Sequence, residues 1–238
     1  MFQHTLFLFF QQAEGFDNAA APGLEPEIES QSLLEVIMAS GWLGIGIVAI
    51  LIVLLFIAVS IFIERYLTIQ QAGRVDEGFM ARIRQDVASG NIANARALCA
   101  NTDSPVARMV EKGLMRIGKP LRDIDAAIEN VGNLEVFRLE KNLSTLASVA
   151  GAAPMIGFFG TVTGMISAFY EMSTSENITP DTLAGGIYQA LLTTAAGLFI
   201  GIIAFVGYNL LVAKVERVVY QMERTTADFL DLLQEPSM

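Results

Sequence analysis

The sequence predicts an all-α integral membrane protein with three transmembrane helices, two of them very long and extending into a cytoplasmic helical domain. Three stretches contain no Asp, Glu, Lys or Arg: 36–63, 142–170 and 182–213. All 40 charged residues lie in the other 149 positions, so the low charged fraction of 17% reflects apolar segments inside an otherwise polar chain. About 20 apolar residues cross a bilayer core of roughly 30 Å, so each stretch is long enough for one crossing.

The first span is predicted over 41–63, and it is the most lipid-like of the three. Trp42 stands at one end and Glu64-Arg65-Tyr66 at the other, as expected for interfacial anchors. The second and third spans, 142–170 and 183–213, are far richer in Gly, Ala, Ser and Thr. Because small residues let helix backbones approach each other, we expect these two helices to face protein more than lipid.

The Lys and Arg residues predict the orientation. Residues 64–141 contain 12 of them and 214–238 contain three, whereas the rest of the chain has none. The positive-inside rule places both segments in the cytoplasm. The N-terminal segment 1–40 and the short loop 171–182 are then external, or periplasmic in a bacterial inner membrane.

The start of the chain resembles a secretory signal, since MFQHTLFLFF is apolar and Ala19-Ala20-Ala21 offers a cleavage site. The segment has no basic residue, however, and its apolar run is short and interrupted by Gln11 and Gln12. We therefore expect the segment to remain as an acidic external extension.

Helical periodicity extends through the cytoplasmic part. Ser89-Gly90-Asn91 predicts a turn, Ser104-Pro105 a helix start, and Gly118-Lys119-Pro120 a break. Beyond Pro120 no strong stop signal appears, so one continuous helix of about 75 Å is predicted from about 121 to 170. Another is predicted from Pro180 to about Leu233.

The composition excludes several classes of protein. A formal net charge of −10 argues against nucleic-acid binding, and a single cysteine, Cys99, excludes a disulfide scaffold. The chain has no zinc-ligand spacing, no phosphate-binding loop and no G-x-S-x-G elbow, and its one histidine is His4. We expect no enzyme, no metal and no cofactor, and a packing role for Cys99.

Two stripes of small residues lie in the second and third spans. They follow helical spacing, and each contains a G-x-x-x-G pair, which favours close packing of two helices. The stripes consist of Gly157, Gly160, Thr161, Gly164 and Ala168, and of Gly197 and Gly201.

Four polar residues in the same spans are candidates for a conduit. A primary amide in a bilayer needs partners and usually faces the bundle interior or a water-filled path, so Gln189 stands out. With Thr161, Thr193 and Thr194 it forms a set that can line a polar path. None of these groups titrates near neutral pH, so any acid that carries protons must come from another subunit.

The segments ASVAGAAPMIGFFGTVTGMISAF and AGGIYQALLTTAAGLFIGIIAFVGYNLL resemble the ExbB/TolQ/MotA family of proton-channel subunits. The resemblance covers about residues 40–235 and extends to the order of spans. It implies a homopentameric ring whose second and third spans line a central pore. It also implies an ExbD- or TolR-like single-span partner that supplies a membrane Asp, and a TonB- or TolA-like energy transducer. The two family threonines that face this Asp correspond to Thr161 and Thr194.

The sequence departs from the family at one position. ExbB and TolQ proteins commonly have a Glu five residues before the second threonine, and this chain has Gln189 there. We expect that Glu to be dispensable, with the partner's Asp sufficient. The external segment favours an ExbB-like role, with a TolQ-like role as the alternative. A non-conducting membrane scaffold also remains open, whereas a solute transporter would need more spans and inverted repeats.

Overall fold

The computed structural model describes residues 41–74, 78–174 and 180–234, which form seven α-helices and no strand. The expected external segment, with its cleavage question, lies outside the described residues. In chain order the helices are α1 (Gly41–Ala72), α2 (Phe79–Ala88), α3 (Ile92–Ala100), α4 (Pro105–Leu114), α5 (Leu121–Leu139), α6 (Leu143–Thr174) and α7 (Pro180–Gln234).

Three helical segments are long and apolar enough to cross a membrane, as the sequence predicts. They are Trp42–Ala72, Leu121–Thr174 and Ala184–Gln234, and the last two are much longer than one crossing needs. In the most apolar window of α1 only 17% of the residues are buried, against 39% in α7. The chain is therefore a multi-pass membrane protein in which α1 is the most exposed span and packs against both α6 and α7.

The prediction of one uninterrupted helix from about 121 to 170 is wrong at one point. Helix α5 ends at Leu139 and α6 begins at Leu143. Asn142 between them has a φ of +63°, a left-handed conformation that Asn tolerates better than most residues. Its carbonyl accepts a hydrogen bond from the N–H of Leu146 at 3.2 Å, so Asn142 is the residue from which α6 starts.

The other boundaries agree with the sequence signals. The hydroxyl of Ser104 accepts a hydrogen bond from the N–H of Ala107 at 3.1 Å, and Pro105 is the first residue of α4. Gly90 and Gly118 have φ values of +76° and +90° at the two expected breaks. The local chemistry at these positions therefore sets the helix lengths outside the spans.

Helices α2, α4 and α5 pack against α7, and α3 packs against α2 and α4. Together with the C-terminal part of α7 they form what we call the helical domain, residues 79–139 and 214–234. The side chains that fill its core are large, and the largest fully buried ones include Phe79, Ile83, Ile128 and Phe229. Cys99 is buried in this core, which agrees with its expected packing role. Burial, together with the carboxylate of Glu111, raises the pKa of the Cys99 thiol to about 12, so the thiol stays protonated at neutral pH.

Candidate functional site

Helices α6 and α7 run antiparallel and touch along a seam of small residues. Gly164 packs against Ala190, and Gly157 against Gly197. A Cβ atom on Gly157 would lie 2.8 Å from the carbonyl oxygen of Thr193, and one on Gly197 would lie 2.6 Å from that of Ala153. These separations are shorter than real contacts, and backbone atoms cannot move aside as a flexible side chain can. The glycines thus permit a backbone approach that another residue would prevent.

The other glycines of the two stripes lie in the same seam. A Cβ atom on Gly160 would lie 2.5 Å from the hydroxyl of Thr193, and one on Gly201 would meet Pro154 at 2.5 Å. Gly160, Gly164 and Gly157 are all buried, as are Gly197 and Gly201. One side of each helix is therefore devoted to contact with the other helix.

Three of the four candidate polar residues meet at the middle of this seam. The hydroxyl of Thr161 donates to the carbonyl oxygen of Ala190 at 3.0 Å, and that of Thr194 donates to the carbonyl oxygen of Gly157 at 3.1 Å. The hydroxyls of Thr161 and Thr194 are also hydrogen-bonded to each other. The buried Thr193 donates to the carbonyl oxygen of Ala190 at 2.9 Å.

The pair Thr161 and Thr194 forms a short chain with two equivalent directions. A hydroxyl has one proton to donate, so two hydroxyls can make only two of the three contacts at once. Either Thr161 donates to Ala190 and accepts from Thr194, or Thr194 donates to Gly157 and accepts from Thr161. Rotation of the two O–H bonds reverses the direction without moving a heavy atom.

Gln189 lies elsewhere on α7. It precedes Thr194 by five residues, which places it about 140° around a helix with 3.6 residues per turn. Gly207, eighteen residues further on, lies at the same angle as Gln189, and a Cβ atom on Gly207 would meet the ring of Phe62 in α1 at 3.0 Å. Gln189 is therefore half-buried on the flank of α7 toward α1, one turn from Thr193, and the Thr161–Thr194 pair lies on the other flank.

Apolar side chains stand beside Thr161 and Thr194 on their flank. Both threonines are half-buried, and their neighbours one turn away include Phe158, Leu191 and Leu198. These three side chains are 65%, 61% and 49% exposed, so the flank is an apolar surface with two hydroxyls at its centre. Such a surface needs lipid or another protein surface to cover it.

The structure also shows a buried charged cluster that the sequence reasoning missed. The carboxylate of Glu135 in α5 is 5% exposed and accepts hydrogen bonds from Arg108 at 2.7 Å and from Arg138 at 2.6 Å. The hydrogen bond from Arg108 to Glu135 raises the pKa of the Arg108 guanidinium. A signal was present, because Glu135 falls on the same face as the apolar residues Ile128 and Leu139.

Arg65 connects the first span to this cluster. Its side chain is buried at the end of the apolar part of α1, where it pairs with Glu64. It also donates to the carbonyl oxygen of Arg138 at 3.3 Å, near the end of α5. The membrane helix and the helical domain are therefore joined at the break between α5 and α6.

Within the described ranges 41–74, 78–174 and 180–234, no group of three or more His, Cys, Asp or Glu side chains is arranged to hold a metal ion. The candidate site residues that the structure brings together contribute hydroxyls and backbone carbonyls.

Comparison with known proteins points to one family. The model of the MotA/TolQ/ExbB proton channel family matches residues 101–224, more than half of the chain. The matched region contains α4 to α6 and most of α7, and with them the whole seam and the buried cluster.

Curated relatives carry two names. The Tol-Pal system protein TolQ of Haemophilus influenzae is 37% identical over 131 residues, which cover 55% of this chain and 50% of that protein. TolQ of Pseudomonas aeruginosa is 28% identical over 190 residues, covering 73% and 82%. The biopolymer transport protein ExbB of Neisseria gonorrhoeae is 42% identical over 74 residues, covering 31% and 34%. Two of these three matches thus cover half or less of the relative's length.

The family match includes the long antiparallel helices, the glycine seam and the paired hydroxyls described above. It is also a match to more than half of the chain, and the relatives that align with it are named for that same family. The chain belongs to the MotA/TolQ/ExbB proton channel family.

Proposed function

We propose that this protein is the pore-lining subunit of a motor in the bacterial inner membrane that is driven by the proton-motive force. The observation that carries this function is the Thr161–Thr194 hydroxyl pair, which lies on a charge-free flank turned away from α1. Five copies arranged as a ring would bring five such flanks together around one central path, and α1 would then face the lipid. Thr193 and Gln189 are the other candidate polar residues along the two helices.

The acid that carries the proton comes from a partner. The two spans of the seam contain no Asp, Glu, Lys or Arg over 142–170 and 182–213. A single-span ExbD- or TolR-like protein inside the ring would place a membrane Asp opposite the threonines. Moving one elementary charge across 100 mV releases about 2.3 kcal/mol, which is enough to drive repeated small movements of such a partner.

The hydroxyl pair suits an acid that changes its protonation state. An ionised carboxylate needs a donor, and a protonated carboxyl group needs an acceptor. Either threonine can turn its O–H from its present acceptor toward a carboxylate, and its oxygen can accept from a protonated carboxyl group. The hydroxyl pair therefore stabilises both states of the acid at one place and adds no charge of its own.

Gln189 has a different part in this scheme. Its amide can orient water or a neighbouring helix but cannot relay a proton by titration. Its place on the flank toward α1 supports a role in holding the bundle together. A Glu at this position is then not required for conduction, since the partner's Asp carries the proton.

The distribution of basic residues supports an external N-terminus and a cytoplasmic C-terminus. Residues 64–141 and 214–238 hold all 15 Lys and Arg residues, and the positive-inside rule assigns both segments to the cytoplasm. Motion of the partner would be passed to a TonB- or TolA-like protein that reaches toward the outer membrane. The role is ExbB-like, in energising TonB-dependent transport, and the TolQ names of two relatives favour a role in the Tol-Pal envelope system as the alternative.

The test is proton flux through the complex with its single-span partner, reconstituted in liposomes. Thr161→Val and Thr194→Val each keep the shape of the side chain and remove the hydroxyl. We expect each variant to lower proton flux about tenfold, because a hydrogen bond to a charged group contributes about 1.5–3 kcal/mol. The complex should still assemble.

Thr163→Val is the matched control, because Thr163 lies in the same helix and bonds only to the carbonyl oxygens of Phe159 and Gly160 in its own helix. Wild-type flux in both Thr161→Val and Thr194→Val would remove their role. Absence of flux from the wild-type complex with its partner would instead favour a scaffold that assembles partners without conducting protons.

A further inference from the structure

An apolar groove lies between α1 and α7, on the flank away from the threonine pair. It encloses about 360 Å³, and α6 contributes to its wall. Three of its side chains on α7 are half or more exposed, Ile202, Val206 and Leu210, so the groove opens to the outside of the bundle. Its other lining residues include Val59, Phe62 and Leu146.

The groove lies in the half of the membrane next to the helical domain. Phe62 stands two residues before Glu64, the first charged residue after the apolar part of α1. Leu210 stands four residues before Lys214, the first charged residue after the apolar part of α7. One end of the groove therefore meets the membrane–water interface, and the other points into the hydrocarbon.

A cation is held at the interfacial end. Tyr66 follows Phe62 by one turn of α1, and their ring centres are 5.9 Å apart. Lys214 follows Leu210 by one turn of α7, and its ammonium nitrogen lies 4.5 Å from the centre of the Tyr66 ring. The Tyr66 ring and the ammonium group of Lys214 therefore lie together at the interfacial end of the groove.

The charge of Lys214 is available to a ligand. Glu64 of α1, two residues before Tyr66, carries a carboxylate that pairs with Arg65. Among the residues that the structure describes, no carboxylate lies within ion-pair distance of Lys214. The groove therefore combines an apolar slot inside the membrane with an unneutralised cation at its mouth.

We propose that this groove binds one acyl chain of an anionic phospholipid, whose phosphate contacts the ammonium group of Lys214. An apolar groove of about 360 Å³ suits a hydrocarbon chain, and a cation at the interface attracts anionic headgroups. A second copy of the chain would also cover apolar side chains, and the cysteine variant described below detects that alternative. This inference needs only a membrane-spanning bundle, so it stands or falls separately from proton conduction.

The experiment measures lipid binding to the full-length protein after removal of native lipid. Phosphatidylglycerol and phosphatidylcholine with identical acyl chains are added in detergent, and lipids bound per chain are counted by native mass spectrometry. We expect phosphatidylglycerol to bind about fivefold more tightly, as one lysine near an anionic group provides.

Two variants separate the slot from the mouth. Val206→Trp fills the slot and is expected to abolish binding of both lipids at this site. Lys214→Gln removes the cation and is expected to abolish the preference while binding remains. Val53→Trp and Lys141→Gln are the matched controls, because Val53 is exposed on α1 outside the groove and Lys141 is exposed in the break between α5 and α6. Both should bind lipid as the wild type does.

Unchanged binding in Val206→Trp would overturn the site, and an unchanged preference in Lys214→Gln would overturn the phosphate contact. A phosphatidylglycerol with a photoreactive acyl chain gives an independent reading, since its adducts should map to peptides that contain Val206 or Phe62. Adducts only elsewhere would contradict the inference. Efficient disulfide bonding between two copies of Val206→Cys in the native membrane would assign the groove to a second copy.

Discussion

The seam between α6 and α7 and the core of the helical domain hold the same chain together in different ways. The seam has glycines, alanines and hydroxyls and no charge. The helical domain has large buried side chains such as Phe229 and a buried carboxylate, Glu135, with two arginine partners.

The difference follows from the solvent. In water, burying a large apolar side chain is favourable, so a domain core is filled with such residues. In lipid, that driving force between helices is missing, and close backbone contact takes its place. The seam therefore tolerates added volume poorly, whereas the helical domain tolerates lost volume poorly.

The largest expected effect is the insertion of a side chain into the seam. Gly197→Leu would push against the carbonyl oxygen of Ala153 and the Cα atom of Gly157, which are backbone atoms. We expect the yield of assembled complex, measured by size-exclusion chromatography in detergent, to fall more than tenfold.

Gly151→Leu in α6 serves as the control, since a Cβ atom at position 151 has open space within 4 Å. This variant should assemble at the wild-type level. Equal losses from the two substitutions would mean that added side-chain volume on either helix decides the outcome and not the close backbone contact.

The next effect is the removal of volume from the helical domain. Phe229 in α7 is fully buried, and Phe229→Ala should lower the free energy of local unfolding by about 3–5 kcal/mol. Hydrogen exchange of the α4 amides in the full-length protein measures this change. Phe137→Ala, at a side chain 76% exposed, should leave exchange in α4 unchanged. A similar loss in both variants would contradict the assigned core.

A smaller effect is expected at the buried charge. Glu135→Gln would leave the guanidinium groups of Arg108 and Arg138 without their shared carboxylate and should lower the free energy of unfolding by about 1.5–3 kcal/mol. Asp103→Asn removes another partner of Arg108, but its side chain is 80% exposed, so about 1 kcal/mol or less is expected. Thermal unfolding of the two variants should rank them in this order, and the reverse order would place the stabilising charge pair at the surface.

Much of this fold follows from local sequence signals. Pro180 begins α7, Ser104-Pro105 begins α4, and the spacing of small residues identifies the face of α6 that meets α7. Each of these features depends on residues close together in the chain, so the sequence carries them directly.

The features that the sequence did not reveal depend on contacts between distant segments. One exception is local: the break between α5 and α6 has no Gly or Pro, and only the left-handed φ of Asn142 shows it. In the sequence, Glu135 is an acid on an otherwise apolar face of α5. Only the structure shows that Arg108 of α4 donates a hydrogen bond to it. The five-residue spacing of Gln189 and Thr194 does imply different flanks, but which flank meets α1 follows from the packing of Phe62 on Gly207.

The central claim is that this chain provides an uncharged path and a partner provides the acid. Proton flux into liposomes under an imposed membrane potential tests it most directly, with this chain reconstituted alone and with its single-span partner. The account predicts flux only when the partner is present. Equal flux from this chain alone would contradict it.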